Sequence, residues 1–188
     1  MKATGRATVL MLGLALSAVA AAAVQPEAAH WRKHQLNFTF SGFTTHYSCG
    51  GFEDTLSLLL RAAGARADAK VVASCMAPMN GPEPFSSARL TFHTLVPAKT
   101  DAAGQGAAPT VAGVWKPVEL RADSPRGLGD GDCELVDQFA RRILPLFTTR
   151  DVKNRMNCVP HEVNLGGVDL KFTVLAAAPP AAPAQAPR

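Results

Sequence analysis

Cys49, Cys75, Cys133 and Cys158 are the residues of this chain most capable of covalent or metal chemistry, and their spacing is regular. The first two stand 26 positions apart and the last two 25 apart. Thiolates at such positions can ligate soft metals. His46 and Cys49 form His-x-x-Cys, Cys158 and His161 form Cys-x-x-His, and Met76 and Met79 follow Cys75, a sulfur and imidazole set suited to copper or zinc. In an oxidising compartment the same four sulfurs pair as disulfides instead, and the even count and spacing favour pairing Cys49 with Cys75 and Cys133 with Cys158. Each bridge would contribute on the order of 3 kcal/mol by closing a loop of that length.

The compartment is indicated at the start of the chain. Lys2 and Arg6 precede the apolar run Val9 to Leu16, and small residues follow to about Ala23, the order of a signal peptide over residues 1–23. Its apolar core is short for a bilayer span, so the reading is cleavage and a periplasmic or secreted protein without a transmembrane anchor. The whole chain carries a formal charge of +4. Without Lys2 and Arg6 this falls to about +2. That balance argues against nucleic acid as a partner, as does the scarcity of aromatics among the basic residues. A positive cluster remains at Arg141, Arg142, Arg150, Lys153 and Arg155, which would suit an anionic envelope component. Asp132, Glu134, Asp137 and Asp151 are interspersed with it, as on a solvated, ion-paired surface.

No recognised catalytic motif is present. His161-Glu162 opens like a zinc-protease helix but no second histidine follows at the required spacing, and nucleophile-elbow, phosphate-loop and dinucleotide patterns are missing. No cysteine pair has redox Cys-x-x-Cys spacing, and nothing implies a cofactor. The stretch Tyr47-Ser48-Cys49-Gly50-Gly51-Phe52 resembles the metal-binding loop of heavy-metal-associated domains, but Phe52 occupies the position of that family's second cysteine.

The elements that would position these residues repeat in order. Leu36 to Phe40 alternates with strand period. Phe52, Leu56, Leu59, Leu60 and Ala63 then make one face of a helix from Cys49, which Gly64 terminates. Strands follow at Ala69 to Cys75 and Leu90 to Thr94. In the second half Val114 to Leu120 reads as a strand, Leu135, Phe139 and Ile143 as a helix face behind an N-cap at Asp132, and Pro145 as its end. Val152, Met156 and Cys158 share a strand face, and Leu170 to Val174 matches Leu90 to Thr94 in pattern.

The expected fold is α+β: a mostly antiparallel sheet of about six strands, two helices on one face, and a duplicated strand-helix-strand-strand unit with pseudo-twofold symmetry. Residues 24–34 read as an N-terminal extension and 35–175 as one domain, with repeats at 35–96 and 113–175 joined by a loop at 97–112. The Ala/Pro-rich residues 176–188 read as a disordered tail. The functional expectation is an exported, disulfide-stabilised, non-catalytic binding or interaction module, its partner an envelope protein or anionic envelope component. A copper or zinc protein using His46, Cys49, Met76, Met79, Cys158 and His161 is the alternative, and an enzyme ranks behind both.

Overall fold

The computed structural model describes residues 26–74, 82, 85–98 and 109–179. Among these, strands β1 (Glu27–Ser41), β2 (Lys70–Ser74), β3 (Phe85–Pro97), β4 (Val111–Leu120), β5 (Thr149–Asn154) and β6 (Leu170–Ala177) form one sheet. Their order is β2-β3-β1-β4-β6-β5, and every neighbouring pair is antiparallel. Helix α1 (Cys49–Ala62) follows β1, and α2 (Cys133–Arg142) follows β4. The protein is therefore α+β, as the periodicities predict. No described helix is long and apolar enough to cross a membrane.

Local chemistry explains the ends of α1. Ser48 Oγ accepts from Gly51 N at 3.2 Å, capping the helix at its start. At its end Gly64 N donates to Arg61 O and Ala65 N to Leu60 O, both at 3.0 Å, the Schellman arrangement. That closure needs a left-handed residue, and Gly64 supplies it with φ +89°. Helix α2 ends at Arg142, before a 3₁₀ turn at Leu144–Leu146 that contains Pro145. The expected cap at its start behaves differently. Asp132 precedes the helix but bonds elsewhere: Gly129 N donates to its Oδ2 at 2.7 Å and Tyr47 Oη to its Oδ1 at 2.5 Å.

Both helices pack on the same sheet face. Phe52, Leu56, Leu59 and Leu60 of α1 and Leu135, Val136 and Phe139 of α2 join Phe38, Phe40, Leu90, Phe92, Leu120, Leu170, Phe172 and Val174 in one buried cluster. Enclosing it requires the sheet to bend. β1 and β4 pair only from Glu27–Gly113 to Ala29–Val111, then run in opposite directions. In a flat sheet the chain would travel about 40 Å one way along β1 and about 30 Å the other along β4. Yet the loops leaving the two strands meet, where Tyr47 reaches Asp132 and Thr45 Oγ1 donates to Gly131 O at 2.7 Å. Glu134 of α2 likewise accepts from Phe43 N and Thr44 N, both at 2.9 Å.

Several element boundaries differ from expectation, among them the end of β6 at Ala177, which brings Ala176 and Ala177 of the expected tail into the sheet, and the start of β4 at Val111 within the expected loop. β1 begins at Glu27, so residues expected to be an N-terminal extension are part of the sheet and, among the described residues, make the strand pairing of β1 with β4. Side chains alternate throughout β1, but the buried positions change face: Ala29 and Trp31 pack opposite the main core, in a small cluster with Leu95, Val111, Trp115 and Leu175. In β5, Val152 is exposed rather than inward. A bulge between Arg150 and Lys153, with Asp151 at φ +55°, breaks the two-residue period and ends the regular strand at Asn154, before Met156 and Cys158.

A polar chain crosses the core. His34 Nε2 donates at 2.8 Å to Thr94 Oγ1, which donates at 3.1 Å to Leu146 O, so the ring proton belongs on Nε2. Burial, followed by the charges of Arg32 and His93, lowers the His34 pKa below the ordinary imidazole value. The neutral form is thus favoured by folding, and its contribution is present above about pH 6.5 and lost as pH falls through the lower folded-state value. Urea midpoints should decline on going from about pH 7 to about pH 5, and His34→Gln, which keeps an amide donor, should flatten that decline. Tyr47→Phe, which leaves Asp132 without its phenol, should cost about 1–3 kcal/mol in equilibrium denaturation.

Candidate binding surface

With the helices on one side, alternation places a defined set of side chains on the other. From β1 come Trp31, Lys33, Gln35, Asn37 and Thr39; from β3, Ser87, Arg89, Thr91 and His93; from β2, Lys70, Val72 and Ser74. The register stacks nine of these into three rows, Lys70-Thr91-Gln35, Val72-Arg89-Asn37 and Ser74-Ser87-Thr39. A cleft of about 580 Å³ lies over the lower two rows, lined by Asn37, Thr39, Val72, Ser74, Ser87 and Arg89. On the other half of the sheet a cleft of about 420 Å³ is lined by residues including Glu119, Asp151, Lys153 and Lys171.

Each tryptophan of this face carries an arginine. The Arg66 guanidinium carbon sits 5.6 Å from the Trp31 ring centroid, and that of Arg150 sits 4.2 Å from Trp115. Arg66 is fixed from several sides. It donates to both Asp68 oxygens, at 2.9 and 2.6 Å, and its Nη2 lies 3.1 Å from His93 Nε2. The Arg66 hydrogen bond is the main cause that draws the Asp68 carboxyl down to about 2. Lys171 acts similarly on Glu119, bonding it at 2.7 Å and lowering its pKa. Sequence reasoning missed the Arg66 and Asp68 group entirely. The available signal was that the chain's two tryptophans both stand in strands.

The positive residues singled out from sequence do not form one patch. Arg141 pairs with Asp137 at 2.6 Å, and Arg142 donates to Thr39 O at 2.7 Å with its guanidinium over Phe38, so both serve the helix layer. Arg150 and Lys153 belong to the open sheet face, while Arg155 pairs with Asp169 at 2.9 Å beyond β5. Among described residues, the cations on the open face with no ion pair or hydrogen bond are Lys33, Lys70, Arg89 and Lys153.

The sulfur and imidazole residues are distributed as follows. Cys133 and Cys158 form a disulfide with Cα atoms 5.5 Å apart, and Cys49 is also disulfide-bonded. Cys75, Met76 and Met79 lie outside the described residues. His46 is exposed, and His161, at φ +67°, places its ring 5.4 Å from that of Phe43. Among the described residues no three His, Cys, Asp or Glu side chains gather in a metal-binding arrangement. No protein-family model matches this chain, and neither a curated protein nor a solved structure shows significant similarity to it.

The Asp68 geometry is directly measurable. A carbon-detected NMR titration should place the Asp68 carboxyl midpoint near 2, and Arg66→Gln should return it to the ordinary carboxylate range. Because the folded pKa is depressed, the stabilising contribution is present above about pH 3.9 and fades as pH falls through the folded value.

Proposed function

We propose that the protein is an exported, disulfide-stabilised, non-catalytic binding module of the cell envelope, built by duplication of a strand-helix-strand-strand unit and binding through its open sheet face. The observation that carries this reading is the pair of tryptophan–arginine stacks on that face, Trp31 with Arg66 and Trp115 with Arg150. Aromatic rings held by guanidinium groups provide rigid, amphipathic contact area of the kind enriched in binding sites.

Duplication is supported by register. Trp31 and Trp115, Cys49 and Cys133, and Arg66 and Arg150 all differ by 84 positions. Leu36 faces Leu90 as Leu120 faces Leu170, and Trp31 faces Leu95 as Trp115 faces Leu175. The strand order reads outward from the β1–β4 junction as β1-β3-β2 on one side and β4-β6-β5 on the other. Export is supported by the leader-like residues 1–23 and by the Cys133–Cys158 bridge, which persists where thiols are oxidised.

Intact mass of the exported protein, under native and then denaturing non-reducing conditions and again after reduction, tests this reading. The expected result is a chain lacking the leader that retains no metal and gains about 4 Da on reduction, two hydrogens for each of two bridges. Free thiols with a copper or zinc adduct would instead establish the Cys/His/Met site as the working one.

A further inference from the structure

We infer that the cleft over β1, β3 and β2 binds a linear glycan bearing carboxylates, with Arg89 as the anion anchor. The inference rests on the binding-module reading and names the ligand class of its open face. The cleft volume of about 580 Å³ falls in the range that holds small ligands or a few linked units. Its lining is unusual for a drug-like pocket: Asn37, Thr39, Ser74 and Ser87 offer amide and hydroxyl groups, and Val72 is the one exposed large apolar side chain among them. Such a set exchanges hydrogen bonds with water for hydrogen bonds with sugar hydroxyls, group for group.

Charge selects an acidic sugar. Arg89 occupies the centre of the three rows and has no ion pair or hydrogen bond, so its planar fork is free for a bidentate carboxylate. Lys70 stands one row away on β2, and Lys33 lies further along β1 on the same face, both also unpaired. On the second half-sheet Lys171 is engaged by Glu119 at 2.7 Å and Arg150 by Trp115 and Asp151, which leaves Lys153 as the unpaired cation among its described open-face residues against Lys33, Lys70 and Arg89 in the first half. The asymmetry assigns the site to the first half. It also disfavours a second copy of this chain, because two such faces would oppose free cations to free cations. A lipid surface would be met by several exposed apolar side chains flanked by the cations; Val72 lines this cleft, and Phe85, two positions before Ser87 in β3, is the other large exposed apolar side chain that β2 and β3 place on this face. An acidic peptide would pair along the edge strand β2 and seek apolar side-chain pockets beside it, whereas the cleft next to that edge is lined by polar side chains apart from Val72 and Ala88.

Calorimetric titration of the oxidised mature protein with a uronic-acid hexasaccharide tests the inference, with a neutral glucan hexasaccharide, phosphatidylglycerol vesicles and a polyglutamate peptide as comparators. The expected result is salt-sensitive binding of the uronate oligomer only, weakened tenfold or more by Arg89→Gln and similarly by Asn37→Leu, and unchanged by Lys153→Gln. Arg89 and Asn37 are exposed, so unchanged thermal midpoints should accompany the losses. Equal affinity in Arg89→Gln, preference for the vesicles or peptide, or no uronate binding would each overturn the glycan assignment. With the protein oxidised and metal-free, those outcomes leave the broader binding reading in place, whereas a metal adduct on free thiols would remove that reading itself.

Discussion

Three residue pairs, Glu27–Gly113, Ala28–Ala112 and Ala29–Val111, hold the two halves of the sheet in one piece. So short a seam leaves the sheet free to bend, and the bend is what brings both helices over a single core. The seam tolerates little bulk. A Cβ on Gly113 would stand 2.9 Å from Leu175 Cδ1 and 3.2 Å from Ala29 Cβ, so the close approach of β1, β4 and β6 depends on glycine there. The small cluster beneath, Ala29, Leu95 and Leu175 with the two tryptophans at its margin, covers the seam on the open side. Helix packing, loop contacts and the open face all follow from this hinge.

Where the bent halves meet again, polar contacts take over from strand pairing. Tyr47 is nearly buried, and the donated hydrogen bond to Asp132 lets its phenol enter the core cluster beside Phe40 and Phe52. Burial, followed by the charge of Asp132, drives the phenol pKa upward, so it remains a donor. The Cys133–Cys158 bridge starts one residue after Asp132, fixing the turn that presents this acceptor. At the other side, Thr94 links β1 to the turn after α2 through His34 and Leu146. These are long-range bonds between loops and strands, and they decide where the helices sit on the sheet.

How far these features could be read from residues alone depended on their range. The face of α1 was legible because Phe52, Leu56, Leu59 and Leu60 recur with helical period and Gly64 punctuates them, all local signals. The strand partners Leu90–Leu36 and Leu170–Leu120 were recognisable as strands, but their register is a tertiary fact. The start of β1 was obscured because Ala29 and Trp31 are covered on the opposite face from Phe38, so the apolar positions shift parity along the strand although its side chains alternate without a break. Val152 was misplaced by a bulge that leaves no strong mark in the sequence. Arg66 over Trp31 joins residues far apart in the chain, and no periodicity reports a cation resting on a ring. The basic residues of the second half showed the reverse problem: adjacency in sequence suggested one patch, while the turn at Leu144–Leu146 sends them to different layers.

The sharing of one core has a consequence for how such a molecule is assembled. Phe92 of β3 stacks on Phe147, which follows α2, and Gly64, which ends α1, lies against Val174 and Ala176 of β6. Each helix thus finishes against the strands of the opposite half. Neither half, detached, could cover its own apolar sheet face, and its β1 or β4 would become an open edge. A free-standing half would be complete only after docking edge to edge with another, so the covalent connection between the halves makes folding independent of protein concentration where two separate chains would depend on it.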